Sequence, residues 1–270
     1  MKKILPILLA CVLILLISCV SINKIKIGMV KNQTVAEELF IKAYGKSVTF
    51  WSEEINCKQI FFNDMTAMIV ALRSGQIDEL STYESVGKYL ADRNQDFEWV
   101  MSNPVLIDGF CFAMREEDLI LQKEFDDALA KMNSDGTLSK LVKSFIDASY
   151  HDYTPTLVDM PYFYDAPTVK IGFTGELPPF DLITDEGKPA GFNTAVLAEI
   201  SERIGKNFEL VQVEQENRVA ALNSHEVDVL FWKLVPDNDK FIPDGFNQPA
   251  GILLTEPYFS DEIIHLRLRK

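Results

Sequence analysis

Two stretches of this chain repeat one local programme, and that repetition constrains the fold more than any other feature. Residues 68–80 (MIVALRSGQIDEL) and 218–230 (RVAALNSHEVDVL) each read as helix, turn and strand, with Asp78 and Asp228 in matching places. Upstream of each lies a short strand of one pattern, Lys26-Ile27-Gly28-Met29 in the first half and Lys170-Ile171-Gly172-Phe173 in the second. A strand followed by an amphipathic helix cannot cover its apolar faces alone; a helix-flanked, mainly parallel sheet does so. The fold class predicted is therefore α/β, with two lobes built alike around mixed, mainly parallel sheets.

The intervening sequence fills in the elements. Thr34 with Glu37 forms a capping box ahead of an amphipathic helix. Asn63-Asp64 caps a helix over 65–74 that carries Met68, Ala71 and Leu72 on one side and stops at Gly75. A strand over 77–80, a helix over 83–92 and an apolar strand over 105–114 follow. Leu121, Phe125, Leu129 and Met132 mark a long amphipathic helix, and a last helix covers 138–146. Residues 148–167 mix tyrosines and prolines without a period and read as an ordered linker whose aromatics pack onto the body. In the second half, Val196, Leu197, Ile200 and Ile204 give a helix one face, ended by Gly205. Strands over 208–213, 227–232 and 263–268 and a short helix over 217–224 complete it.

The first residues set the compartment. Lys2 and Lys3 precede an apolar run over 4–20, the layout of a secretory signal. The ending Leu16-Ile17-Ser18-Cys19 resembles the lipobox of bacterial lipoproteins, which implies that residues 1–18 are removed and Cys19 carries a lipid anchor. The other reading is an uncleaved anchor helix; both hold the protein outside the cytoplasmic membrane. A hydrophobic fraction of 47% supports real cores, and a net charge of −14 argues against a nucleic-acid partner. Cys57 and Cys111 fit two buried free thiols better than a disulfide, Cys111 lying in an apolar run. No CxxC or His-Cys cluster calls for a metal, and nothing calls for a cofactor.

Several motifs stand in a familiar order. Val169-Lys170-Ile171-Gly172, Pro178-Pro179-Phe180, Gly187-Lys188-Pro189-Ala190-Gly191-Phe192, Asn217-Arg218, Val227-Asp228-Val229 and Glu256-Pro257-Tyr258-Phe259-Ser260 resemble the first lobe of family 3 extracellular solute-binding proteins, the amino-acid-binding partners of ABC importers. Ala71-Leu72-Arg73-Ser74-Gly75-Gln76-Ile77-Asp78, Phe112-Ala113-Met114-Arg115 and Asp135-Gly136-Thr137-Leu138 resemble the second lobe and the return to the first. The resemblance implies a two-lobed periplasmic-binding-protein-like (type II) fold with its lobe order swapped. Its parts would be a signal peptide over 1–18, a tether over 19–24, a second-lobe-like domain over 25–108 and a return segment over 109–148. A linker over 149–168 and a first-lobe-like domain over 169–270 complete the set. Circular permutation accounts for the order, the linker joining what would be the parent's termini; the alternative is two unmated halves of a longer tandem array.

By the same resemblance a ligand sits between the lobes. Glu176, Phe180, Trp232, Lys233 and Arg218 would face it from the first lobe, and Gln33, Thr34, Tyr83 and Glu84 from the second. Each also has a plain structural reading: turn packing for Phe180, core for Trp232, an N-cap for Thr34, and solvated helix residues for Glu84 and Arg218. The family's Thr-Pro-x-Arg segment, whose arginine clamps an α-carboxylate, is replaced here by Leu234-Val235-Pro236-Asp237-Asn238-Asp239-Lys240, and a lysine lacks the bidentate fork. Gln33 also stands where the family has a glycine. The expected function is capture of a small polar, amino-acid-like solute by a monomeric, membrane-anchored receptor serving an ABC permease. A sensory or interaction module is the rival. An enzyme is not expected, because His151, His225 and His265 are scattered without nucleophile or base.

Overall fold

The computed structural model describes residues 24–31, 57–101, 107–150, 156–234 and 248–269. The first half contains β1 (Ile25–Val30), β2 (Cys57–Phe62), α1 (Met65–Arg73), β3 (Glu79–Tyr83), α2 (Glu84–Arg93), β4 (Phe97–Met101) and β5 (Ile107–Arg115). Helices α3 (Leu119–Ser134) and α4 (Thr137–Leu141) follow, the latter running on as π-helix over Val142–Asp147. The second half contains β6 (Thr168–Phe173), β7 (Glu176–Leu177), β8 (Asp181–Ile183), β9 (Pro189–Ala190), α5 (Phe192–Ile204) and β10 (Asn207–Gln212). It ends with α6 (Arg218–Asn223), β11 (Val229–Leu234), β12 (Ile252–Leu254) and β13 (Phe259–Leu268). The Thr34 capping box and Cys19 lie outside the described residues.

Strands β7, β8 and β9 form a small antiparallel sheet, and the other ten form two sheets that exchange strands. One runs β2-β1-β3-β13-β4, with β1 parallel to β2 and β3 and β13 antiparallel to β3 and β4. The other runs β10-β6-β11-β5-β12, parallel through its first three strands and antiparallel at β5. Each thus takes the order second, first, third, visitor, fourth, and the visitor comes from the other half of the chain. Strand β13 belongs to both: Phe259 to Glu262 pair with β5, and Ile263 onward pairs with β3 and β4. Leu266 lies opposite Leu80, and Leu80 opposite Gly28. The end of β13 therefore sits at the edge where β1 begins, two strands away, roughly 10 Å at the usual strand spacing.

The repeated sequence folds as repeated structure. Asp78 Oδ2 accepts from the Lys26 N–H at 2.7 Å, and Asp228 Oδ2 accepts from the Lys170 N–H at 2.9 Å. In return the Asp78 and Asp228 N–H groups donate to the Lys26 and Lys170 carbonyls at 2.8 and 2.7 Å. Each aspartate thus ties the turn after a helix to the first strand of its sheet. The left-handed position of each turn is filled differently: Gly75 takes φ 72°, and His225 holds φ 61° in the matching place.

The core continues through both halves, from Met68, Leu72 and Leu80 through Phe112 and Phe125 to Phe192 and Ile200. A second cluster gathers Leu222, Leu230 and Trp232 around Cys111. Both Cys111, buried, and Cys57, half-buried, are free thiols; burial pushes both thiols up, so neither is primed as a nucleophile. In the 156–167 stretch, Asn207 accepts from the Phe163 N–H and donates to the Phe163 and Ala166 carbonyls, fixing the approach to β6. Tyr162 and Tyr164, expected to pack, are instead 79% and 85% exposed. A phenol keeps a polar tip that tolerates water, so aromatic content alone does not require burial.

Candidate functional site

A cavity of ≈ 230 Å³ opens where the two sheets meet. Its walls are the carboxyl ends of parallel strands from both sheets: Met29 and Val30 at the end of β1, Thr82 and Tyr83 at β3, Phe173 and Thr174 at β6, Trp232 and Lys233 at β11. That is where open α/β sheets place ligands, because helix N-termini and loops converge there. The volume lies just below the roughly 300–1,000 Å³ usual for small-molecule pockets, which suits a small solute rather than a peptide.

One wall is positioned by α1. Asp64 caps it, its Oδ1 accepting from the Ala67 N–H at 2.7 Å, and its carboxylate borders the cavity. The opposite wall is set by the turn ahead of α5. Gly191 takes φ 107°, and a Cβ there would lie 2.7 Å from the Pro179 and Phe180 carbonyl oxygens, so only glycine fits. That contact lets the Phe192 and Asn193 N–H groups donate to those carbonyls at 3.0 and 2.8 Å, which brings Asn193 to the cavity and locks Asp181 beside it.

Of the residues singled out from the sequence, Glu176, Arg218, Trp232, Lys233 and Tyr83 line the cavity. Phe180 does not. It is fully buried behind the wall, stacked on Phe110 at 4.8 Å and edge-on to Phe192 at 6.2 Å, its own carbonyl and that of Pro179 being held by the first N–H groups of α5. Glu84 lies outside it, paired with Lys88 at 2.7 Å along α2. Gln33 and Thr34 fall outside the described residues.

Four lining groups carry no strong sequence signal of their own: Asp64, Asp108, Asp181 and Asn193. Asp108, 1% exposed, sits on β5 where the halves join; Tyr83 donates to its Oδ2 at 3.1 Å and Lys233 approaches it at 3.5 Å. The three side chains come from three strands and both sheets, so they bridge the lobes at the base of the cavity. Asn193 accepts from the buried Tyr258 hydroxyl at 2.8 Å. Arg218 donates to Gln215 Oε1 at 3.3 Å and to the Phe231 carbonyl. Burial presses the Arg218 guanidinium below its usual range while Asp181 pulls it back up; it stays cationic.

The exchanged strands, the matched sheet orders and a cleft at their carboxyl edges define a two-lobed type II solute-binding fold. Comparison with known proteins bears on the second half of the chain: residues 169–239 match the model of bacterial extracellular solute-binding proteins, family 3. The chain is also 27% identical over 121 residues to the ABC transporter glutamine-binding protein GlnH of Bacillus subtilis, an alignment spanning 45% of this chain and 40% of that protein. Among solved structures, the GluR0 ligand-binding core from Nostoc punctiforme in complex with (L)-glutamate is 11% identical with a TM-score of 0.40, covering 91% of this chain and 85% of that one. The periplasmic aliphatic sulphonate binding protein SsuA from Escherichia coli is 13% identical with a TM-score of 0.42, covering 92% of this chain and 62% of its own. Among the described residues no helix is long and apolar enough to cross a membrane.

Proposed function

We propose that this protein is a non-enzymatic receptor that captures a small polar, amino-acid-like solute in the cleft between its lobes. The observation that carries the reading is the cavity itself, walled by strand ends from both sheets and bridged at its base by Tyr83, Asp108 and Lys233. Outside the cytoplasmic membrane, with Cys19 as lipid anchor, it works as a monomer and hands the solute to an ABC permease. The swapped order of its halves is a circular permutation, a reading supported by the end of β13 lying at the edge where β1 starts. A sensory module on the same scaffold is the second reading. It is favoured by residues 234–240, which lack the arginine that the family resemblance implies for a carboxylate clamp.

A thermal-shift screen of the protein from Cys19 onward, against amino acids, short peptides and polyamines, tests the receptor reading. A solute at 100 times its dissociation constant stabilises the folded form by about 2.7 kcal/mol. One solute class is expected to raise the melting temperature in a concentration-dependent way. A cooperative melt that no solute moves transfers the assignment to a partner-binding module. Genes for a permease and an ATPase beside this one would separate transport from sensing.

A further inference from the structure

Strands β5 and β13 pair where the two sheets meet, and each brings a buried carboxylate to that crossing. Strand β13 changes partners between Glu262, the last residue paired with β5, and Ile263, the first paired with β3. Asp261 stands just before the change, directly opposite Asp108 of β5. Opposed residues of an antiparallel pair share a face, so the two carboxylates are neighbours there. Both are almost wholly shielded from water, Asp108 at 1% and Asp261 at 6% exposed. A change in the angle between the sheets has to be absorbed by the few residues at this crossing.

Both carboxylates hold the same piece of the first half, the corner where β3 becomes α2. Tyr83 donates to Asp108 Oδ2 at 3.1 Å, and its ring lies edge-on to Phe110 at 4.8 Å. Two residues on, the Ser85 N–H donates to Asp261 Oδ2 at 3.0 Å. Helix α2 has no side-chain cap from its own N-cap residue, Tyr83, so Asp261 supplies the acceptor from another strand. The ionisable groups around Asp261 are mostly acidic. Glu262 follows it on β13, Glu84 opens α2 paired with Lys88 at 2.7 Å, and Asp108 faces it from β5 with Lys233 at 3.5 Å. The other packed elements bring charges that are matched: Glu79 of β3 with His265, Glu98 of β4 with Arg267, and Arg73 of α1 with Asp96. Burial, with the Glu84 charge adding, pushes the Asp261 carboxyl up to about 6, while hydrogen bonds from Ser85 and the Glu262 N–H oppose it. Its neutral form suits the packed crossing; its charged form gains water if the corner lifts away.

We propose that Asp261, opposite Asp108 at the strand crossing, makes the angle between the lobes depend on pH. Protonated, it lets the Tyr83–Ser85 corner seat against β5 and β13, and the cleft stays closed; ionised, it favours a corner that lifts into water and a cleft that opens. The sign follows from linkage: a group that holds its proton more tightly in the closed arrangement favours that arrangement at low pH. The preference is lost as the pH rises through about 6. This goes beyond the receptor reading and does not depend on which solute the cleft takes.

Small-angle X-ray scattering from the whole protein without solute tests this, in steps from about pH 7.5 to about pH 5, a range above the ordinary aspartate titration. The radius of gyration is expected to fall as the pH drops through about 6, and Asp261→Asn to hold the compact value throughout. Glu84→Gln removes a neighbouring charge outside the cavity and is expected to move the midpoint to lower pH, a readout that stands even if Asp261→Asn fails to fold. A radius that ignores pH, or that grows on acidification, overturns the proposal. So does a change that Asp261→Asn retains in full, or a midpoint that Glu84→Gln leaves in place.

Discussion

Asp261 lies on β13 directly opposite Asp108 of β5, and its Oδ2 accepts from the Ser85 N–H at 3.0 Å in the first turn of α2. Burial pushes its carboxyl up to about 6, the Ser85 hydrogen bonds opposing and the nearby Glu84 charge adding to the rise. Above that pH the folded state carries a buried charge that the unfolded chain keeps in water, so ionisation costs stability. As the pH falls through 6 the folded form takes up the proton first, and the penalty is gone near 4, the ordinary aspartate range. Asp261→Asn keeps an acceptor for Ser85 and removes the charge. It is expected to stabilise by on the order of 2 kcal/mol at pH 7 and by little at pH 4.5, read from urea unfolding at both. Arg115 works in the other direction. Its side chain, 8% exposed, donates to the Val227 and Leu222 carbonyls at 2.7 and 3.2 Å and pairs with Asp228 at 2.8 Å and Asp118 at 2.9 Å. Arg115→Met strands those acceptors, and urea unfolding is expected to register a loss of about 3–5 kcal/mol.

Among the elements, the two helix–turn–strand repeats show what a sequence makes legible. Their helices follow the 3.6-residue apolar spacing, and α1 and α6 fall within a residue or two of the expected ends. The strand expected over 77–80 is β3 at Glu79–Tyr83, because Ile77 and Asp78 are spent on the turn that bonds back to Lys26. Strands β2, β4 and β12 carry no legible sequence signal, for a common reason. Each lies at the outer end of its sheet order and pairs with a strand distant in sequence, so neighbours carry no trace of its role. The helix expected over 138–146 shifts to π-helix at Val142, for which its apolar spacing gives no warning. His225 offers a test of the repeat, since its φ of 61° costs a side chain what Gly75 avoids. His225→Gly is expected to raise stability by about 0.5–1 kcal/mol, after the added flexibility of the unfolded chain is offset, and differential scanning calorimetry measures it.

At the scale of the whole molecule, neither half closes its own sheet. Strand β5 completes the sheet of β6, β10 and β11, and β13 completes that of β1, β2 and β3. The candidate site inherits this division. Glu176, Arg218, Trp232, Lys233 and Tyr83 are legible from motif position, whereas Asp64, Asp108 and Asp181 acquire their place only when residues distant in sequence meet across the cleft. Phe180 shows the converse: a motif residue whose ring packs behind the wall. The permutation reading makes its own prediction. A chain opened within 150–167 and rejoined from its last residue to residue 24 is expected to melt within a few degrees of the parent; failure to fold argues against it. The most direct test of a cleft built by both halves is amide hydrogen exchange with and without a saturating concentration of the solute that raises the melting temperature in the thermal-shift screen. Added protection is expected at once around 63–65 and 81–83 in the first half and around 172–177 and 215–219 in the second. Protection confined to one half, or absent from both, contradicts it.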